Sequence, residues 1–255
     1  MRQLPVALAG FAALGAVTLF ARPVLADSFV VSYEAPGVQN TTTTFSYSGV
    51  ETFDGQSTGF QTFSTAFGTS GQNTISGTYS GVQIKPADVY GGAGGAGNYA
   101  VAFGATPYSL TLAAGSSPID YFGFWLSALD HGNLLAFYNG ASEVFSFSAA
   151  QVLALVETNR AYFGNPNPQH PGNGGQPYVF LNFYDTSGAF NKVAFTESPA
   201  VGGFESDNQT VGIYTSISGT PVPEPTALAL LGTGLFGLGR IRRRGAGSRR
   251  FGEVC

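Results

Sequence analysis

The chain has 255 residues, 44% of them hydrophobic and only 10% charged, with 36 glycines, one cysteine and a formal net charge of −4. Between Asp27 and Thr220, Lys85, Arg160 and Lys192 stand against 13 carboxylates, a formal −10, and the remaining cations sit in the two ends. Such a body lacks the clustered Lys and Arg that a nucleic-acid backbone requires, and the lone Cys255 excludes an intrachain disulfide.

The N-terminal stretch "MRQLPVALAGFAALGAVTLFARPVLADS" places Arg2 before an apolar run from Leu4 to Ala21, and Val24 and Ala26 before Asp27. That order predicts a secretory signal peptide over 1–26, handled by the general secretion machinery and cut between Ala26 and Asp27. A retained membrane anchor is the alternative. The predicted mature body, 27–220, has 194 residues, enough for one extracytoplasmic domain with a proper core.

Through that body, short runs rich in Val, Phe, Tyr and Thr alternate with Gly, Asn and Pro. "SFVVSYEA", "TTTTFSYSGVETF", "GFQTFSTAF", "TISGTYSGVQI", "YAVAFG", "YSLTLAA", "IDYFGFWLSAL", "NLLAFYNG", "EVFSFSA", "YVFLNFYD", "FNKVAFTES" and "VGIYTSIS" read as strands. Several alternate apolar and polar residues, as half-buried antiparallel strands do. The predicted fold is all-β, a single antiparallel β-sandwich of jelly-roll type. One short helix is expected in "SAAQVLALVETN", opened by a Ser148/Gln151 capping box and apolar along Val152, Leu155 and Val156.

Chemistry-bearing motifs are sparse. "GGAGGAG" at 91–97 contains G-x-G-x-x-G, but a strand-like "NYAVAFG" follows where a dinucleotide site needs a helix. It reads as a flexible loop. His131 and His170 lie in loop-like "LDHGN" and "NPQHPGN" without a second ligand at metal spacing. Asn40 and Asn208 fit the N-glycosylation pattern. One oxygen-rich grouping stands out. Glu34 starts the body, while Glu205, Asp207 and Asn208 lie near its end. If first and last strands lie side by side, these hard oxygen ligands suit a structural Ca²⁺. Solvated turn carboxylates are the competing reading.

The tail reads "PVPEPTALALLGTGLFGLGRIRRRG" over 221–245, followed by a cytoplasmic stretch over 246–255. The apolar run 226–239 has 14 residues and four glycines, shorter than the ~20 residues of a comfortable span and weak as a helix. Arg240, Arg242, Arg243 and Arg244 would hold its end on the cytoplasmic side. Pro221, Pro223 and Pro225 keep the stretch around Glu224 extended. A temporary membrane stop with a recognition handle fits these parts; a permanent tail anchor is the alternative.

This arrangement closely resembles the PEP-CTERM sorting signal of Gram-negative bacteria. Val222, Pro223, Glu224 and Pro225 match its motif and Arg242, Arg243 and Arg244 its basic cluster; "GAGSRRFGEVC" extends further than is usual. The resemblance implies recognition by the membrane enzyme exosortase, transient inner-membrane anchoring by a C-terminal hydrophobic helix, and release or attachment at the cell surface. It also implies a setting of exopolysaccharide and biofilm matrix. The stretches "VSYEAPGVQ", "GGAGGAGNYAV", "IDYFGFWLSALDHGNLLAFYNG" and "FNKVAFTESPAVGGFESDN" are similar to a subgroup with a jelly-roll-like body and no defined activity.

The expected function is that of an exported, non-enzymatic surface or matrix protein. A carbohydrate-binding module is the alternative, with Tyr121, Trp125 and Tyr138 as stacking rings, although the apolar "FGFWL" around Trp125 suits it better to the core. Ice binding would need a repeated flat Thr array, and "TTTT" at 41–44 occurs once.

Overall fold

The structure, a computed structural model, describes residues 29–70, 73–115, 117–165, 173–200 and 202–223. Ala26, Asp27, His170, Glu224, Pro225, Arg242, Arg243 and Arg244 lie outside them.

The described strands are β1 (Phe29–Tyr33), β2 (Thr44–Glu51), β3 (Gly59–Ser70), β4 (Asn73–Pro86), β5 (Asn98–Phe103), β6 (Tyr108–Ala114) and β7 (Tyr121–Ser127). β8 (Asn133–Asn139), β9 (Ser142–Ser148), β10 (Val179–Asp185), β11 (Lys192–Glu197), β12 (Gly203–Ser216) and β13 (Thr220–Pro221) complete the set. They pair antiparallel in the order β13-β1-β10-β7-β12-β5-β4-β6-β11-β8-β9, with β2 added on β12 and β3 on β4. Each of the twelve predicted runs forms a strand, because alternation lets one face find a core while the other meets loops or solvent.

β5 turns this single sheet into a sandwich. It pairs with β12 through Ala100–Phe103 and with β4 through Asn98–Val101, so the chain of hydrogen bonds passes from one layer to the other. Aromatic rings fill the space between. Phe124 of β7 meets Phe195 of β11 at 5.6 Å between centroids, and Phe183 of β10 meets Phe137 of β8 at 5.2 Å. Phe29 stacks on Phe145 at 4.4 Å, which brings the predicted alternation of "EVFSFSA" onto the core.

β7 and β10 are buried on both faces. Their inner residues, Phe122, Phe124, Leu181 and Phe183, build the core. Their outer residues, Tyr121, Trp125, Phe180 and Asn182, are covered by two loops, 34–43 and 87–97, described below.

Two elements depart from expectation. Helix α1 runs Ala150–Val156 and carries no side-chain cap, because Ser148 is still the last residue of β9; Val152 and Val156 are buried. The stretch "GFESDNQ" is the first half of the 14-residue strand β12 and not a solvated turn. A bulge at Asn208, φ 47°, breaks its register against β7 between Asp207 and Thr210.

Candidate functional site

Glu34 follows β1, and its backbone N–H donates to the carbonyl of Phe180. Its carboxylate accepts from the Thr42 N–H (2.9 Å), the Thr42 hydroxyl (2.9 Å to Oε2), Asn182 Nδ2 (3.1 Å) and Ser218 Oγ (3.2 Å). Thr41 donates to Asn182 Oδ1 at 2.7 Å, and Thr43 Oγ1 lies 2.5 Å from the Tyr184 hydroxyl. The threonine run thus straps the outer face of β10 and β1, with Thr43 buried and Thr41 half-buried.

The last strand does lie beside the first, but that strand is β13. Glu205 and Asp207 are on β12, with β10 and β7 in between. Glu34, Phe180, Trp125 and Asp207 share one cross-strand row, so three strand spacings, roughly 14 Å of sheet, separate the two acids. The grouping expected for calcium is therefore not brought together. Among the described residues no set of three His, Cys, Asp or Glu side chains is placed to hold a metal ion.

Asp207 holds the glycine-rich loop instead. Its carboxylate accepts from the Ala93 N–H (2.6 Å) and the Asn208 N–H (2.7 Å). Tyr178 donates to the Val89 carbonyl at 2.7 Å, and Asn165 Nδ2 to the Asp88 carbonyl at 3.0 Å. Gly92, Gly94 and Gly97 all take positive φ, and a Cβ on Gly91 would strike the Tyr99 ring. The loop expected to be flexible is a pinned cover over Trp125, Tyr178 and Phe180. Trp125 and Tyr121 are both 0% exposed and offer no face to a ligand. Tyr138 is half-buried under Lys192, whose Nζ is 5.2 Å from its ring centroid. His131 is exposed in its turn, and Asn208 spends its side chain on the Gln39 carbonyl at 3.0 Å.

Beside this cover lies a cleft of about 560 Å³ lined by Lys85, Tyr90, Phe103, Asp130, Gln176 and Glu205, among others. Glu205 is 7% exposed. Burial pushes its carboxyl up to about 8; its own backbone N–H and Lys85 oppose the rise, and Asp130 and Glu197 add to it. Gly203 makes room, since a Cβ there would fall on the Glu205 carboxylate, and Gly202 does the same for Asp130. Burial likewise raises Asp207 to about 7 against its two backbone donors. Sequence reading missed this cleft, because its residues are scattered singly from 85 to 205 with no local motif.

The C-terminal exit is fixed at one edge of the sheet. Thr220 and Pro221 pair with Tyr33 and Ser32, and the Val222 N–H donates to the Val31 carbonyl at 2.9 Å. Pro221 cannot donate to a ladder, which suits an outermost strand. Val222 packs against the core, while Pro221 and Pro223 are exposed. Ser218 anchors the turn before it, its N–H donating to the Tyr184 hydroxyl at 3.1 Å and its carbonyl accepting from Ser32 at 2.5 Å. Among the described residues no helix is long and apolar enough to cross a membrane.

No curated protein and no solved structure matches the chain. A family model does match its C-terminal part, that of the PEP-CTERM protein-sorting motif, over residues 221–244. The match begins at Pro221, the residue paired with Ser32 at the edge of the sandwich. The chain thus carries, at the end of an antiparallel β-sandwich body, the PEP-CTERM motif of exosortase-sorted surface proteins, rooted on that body's first strand.

Proposed function

We propose that this protein is a non-enzymatic component of the cell surface or its exopolysaccharide matrix. The signal peptide exports it, the apolar run 226–239 holds it briefly in the inner membrane, and exosortase removes the tail so that the body is released or attached outside. The observation that carries this reading is the placement of the motif. Val222 is bonded and packed onto β1, and Pro223 emerges exposed directly after it. The handle therefore leaves a folded body from a defined edge, with Glu224 next in the chain. Glu224, fixed between two prolines, offers a charged contact on a backbone that loses little entropy when gripped.

A non-enzymatic role is supported by how the body uses its acids. Glu34 and Asp207 spend their oxygens on neighbouring N–H and O–H groups that hold loops. Cell fractionation with antibodies to the body and to residues 246–255 tests the sorting. Surface protein should lack the C-terminal epitope. Glu224→Ala should trap uncut protein in the inner membrane, and neutralising Arg242, Arg243 and Arg244 together should release it with the tail still attached. Wild-type surface protein that keeps its C-terminal epitope would make a plain anchor the better account.

A further inference from the structure

We propose that the cleft lined by Tyr90, Phe103, Asp130, Gln176 and Glu205 is a binding site for a neutral saccharide chain, with the Tyr90 ring as its stacking face and the two carboxyls bonding sugar hydroxyls. The cleft belongs to the body alone, so this inference stands apart from how the tail is processed.

Its volume of about 560 Å³ falls within the roughly 300–1,000 Å³ of small-ligand sites. Tyr90 is 48% exposed, and among the described residues it and Phe60 are the large rings left open, Tyr90 being the one that lines the cleft. Its backbone is held in place: the Tyr90 N–H donates to Asp88 Oδ1 at 2.9 Å, and Asp88 further accepts from Gly91 and pairs with Lys85 at 3.3 Å. An amphipathic ring on an anchored backbone, beside hydrogen-bonding groups, suits the apolar face of a pyranose. Glu205 supplies the second, independent feature. It is more than nine-tenths buried, lines the cleft, and has its own backbone N–H as one partner. A carboxyl so placed meets little water, and a ligand hydroxyl entering the cleft would hydrogen-bond it.

The charge around the cleft selects the ligand class. Lys85 is tied to Asp88 and so offers no free cation to an acidic sugar. Asp130 would repel one. Glu205 faces Lys85, Asp130, Glu197, Tyr99 and Tyr178, and burial with two neighbouring acids keeps it protonated at neutral pH. In that form it donates as well as accepts, which matches a hydroxyl that does both. Gln176, held by Asn173 at 2.6 Å and by the Ala128 carbonyl at 3.1 Å, adds a fixed amide.

Affinity electrophoresis and titration calorimetry of the processed surface protein test this with neutral gluco- and manno-oligosaccharides, alongside oligogalacturonate and chitosan oligomers. A neutral series should bind in the millimolar range or tighter. Tyr90→Ala should weaken it about tenfold, the size expected for loss of one stacked ring. Glu205→Gln, which keeps a neutral donor and acceptor, should retain binding at pH 6 and remove the loss that the wild type shows above pH 8. Absence of binding to every neutral oligomer at millimolar concentration overturns the inference. So does binding that Tyr90→Ala leaves unchanged, and saturable binding of chitosan alone replaces it with a site for cations.

Discussion

Asn182 Nδ2 of β10 donates to Glu34 Oε1 at 3.1 Å, joining that strand to the loop that closes over it. The same amide donates to Ser32 Oγ at 3.2 Å and accepts from Tyr121 and Thr41, each at 2.7 Å. All four hydrogen-bonding positions of the side chain are filled.

Asn182→Ala should therefore be strongly destabilising. It leaves a buried carboxylate, a tyrosine and two hydroxyls short of a partner. Each buried orphan costs about 1–3 kcal/mol, and water entering the gap recovers part. A loss of about 3 kcal/mol is expected, read from urea unfolding with an unchanged slope. A loss below about 0.5 kcal/mol would mean that the threonine strap does not depend on this residue.

The same geometry gives an expectation for metal. Since the oxygens of Glu34 and Asp207 are engaged and lie three strand spacings apart, a chelator should leave the melting temperature unchanged. Asp207→Ala should lower it with or without chelator, because the Ala93 and Asn208 N–H groups lose their acceptor. Calcium that raises the melting temperature of the wild type, but not of Glu34→Gln, would contradict this.

Stability should also rise on mild acidification. Burial lifts Glu205 from 4.5 to about 8, Asp207 from 3.8 to about 7, and Asp120 from 3.8 to about 6. The folded state then holds protons that the unfolded chain has already released. The contribution is full below about pH 4, shrinks as pH rises through the interval, and is gone above about 8 for Glu205. Thermal melts from pH 5 to 9 should fall with pH. Glu205→Gln should flatten most the part of the slope around pH 8, where Asp120 has titrated and Asp207 largely has.

How much of this was legible depended on whether the signal was local. Strands such as "YSLTLAA" carry their burial pattern in their own alternation, so β6 is plain from sequence. β12 was half hidden, because Glu205, Asp207 and Asn208 look like turn residues until the cover loop and the bulge supply their partners. The unbroken "YFGFWLS" read as a strand and put Trp125 in the core, but that the strand is buried on both faces, with Trp125 beneath a cover, came only with the loop that closes over it. Nothing near Lys85, Tyr90, Asp130 or Glu205 marks them as neighbours. The pairing of β12 with β7 and β5, and of β5 with β4, gathers them. The sorting motif was legible in full because its order along the chain is itself the signal.

The root of that motif is a short latch on the sandwich edge. β13 is held by its pairing with β1, the Val222 N–H bond and a half-buried valine. Together these are worth about 1–3 kcal/mol, so a small fraction of molecules has the strand detached at any moment. A membrane enzyme that grips an extended peptide gains an extra open backbone edge when Thr220–Val222 lets go. Gly219 allows the latch to be loosened without touching the motif, which starts at Pro221. It sits at φ 76°, and a Cβ there would press on the Tyr33 carbonyl. Gly219→Ala should leave the body folded, with a melting temperature a few degrees lower. In pulse-chase labelling it should speed loss of the 246–255 epitope, by up to about tenfold if detachment limits the rate. Limited proteolysis should show a matching rise in cleavage between Ser216 and Pro223. Slower tail removal in Gly219→Ala, with the body still folded, would instead make the paired strand part of what exosortase recognises.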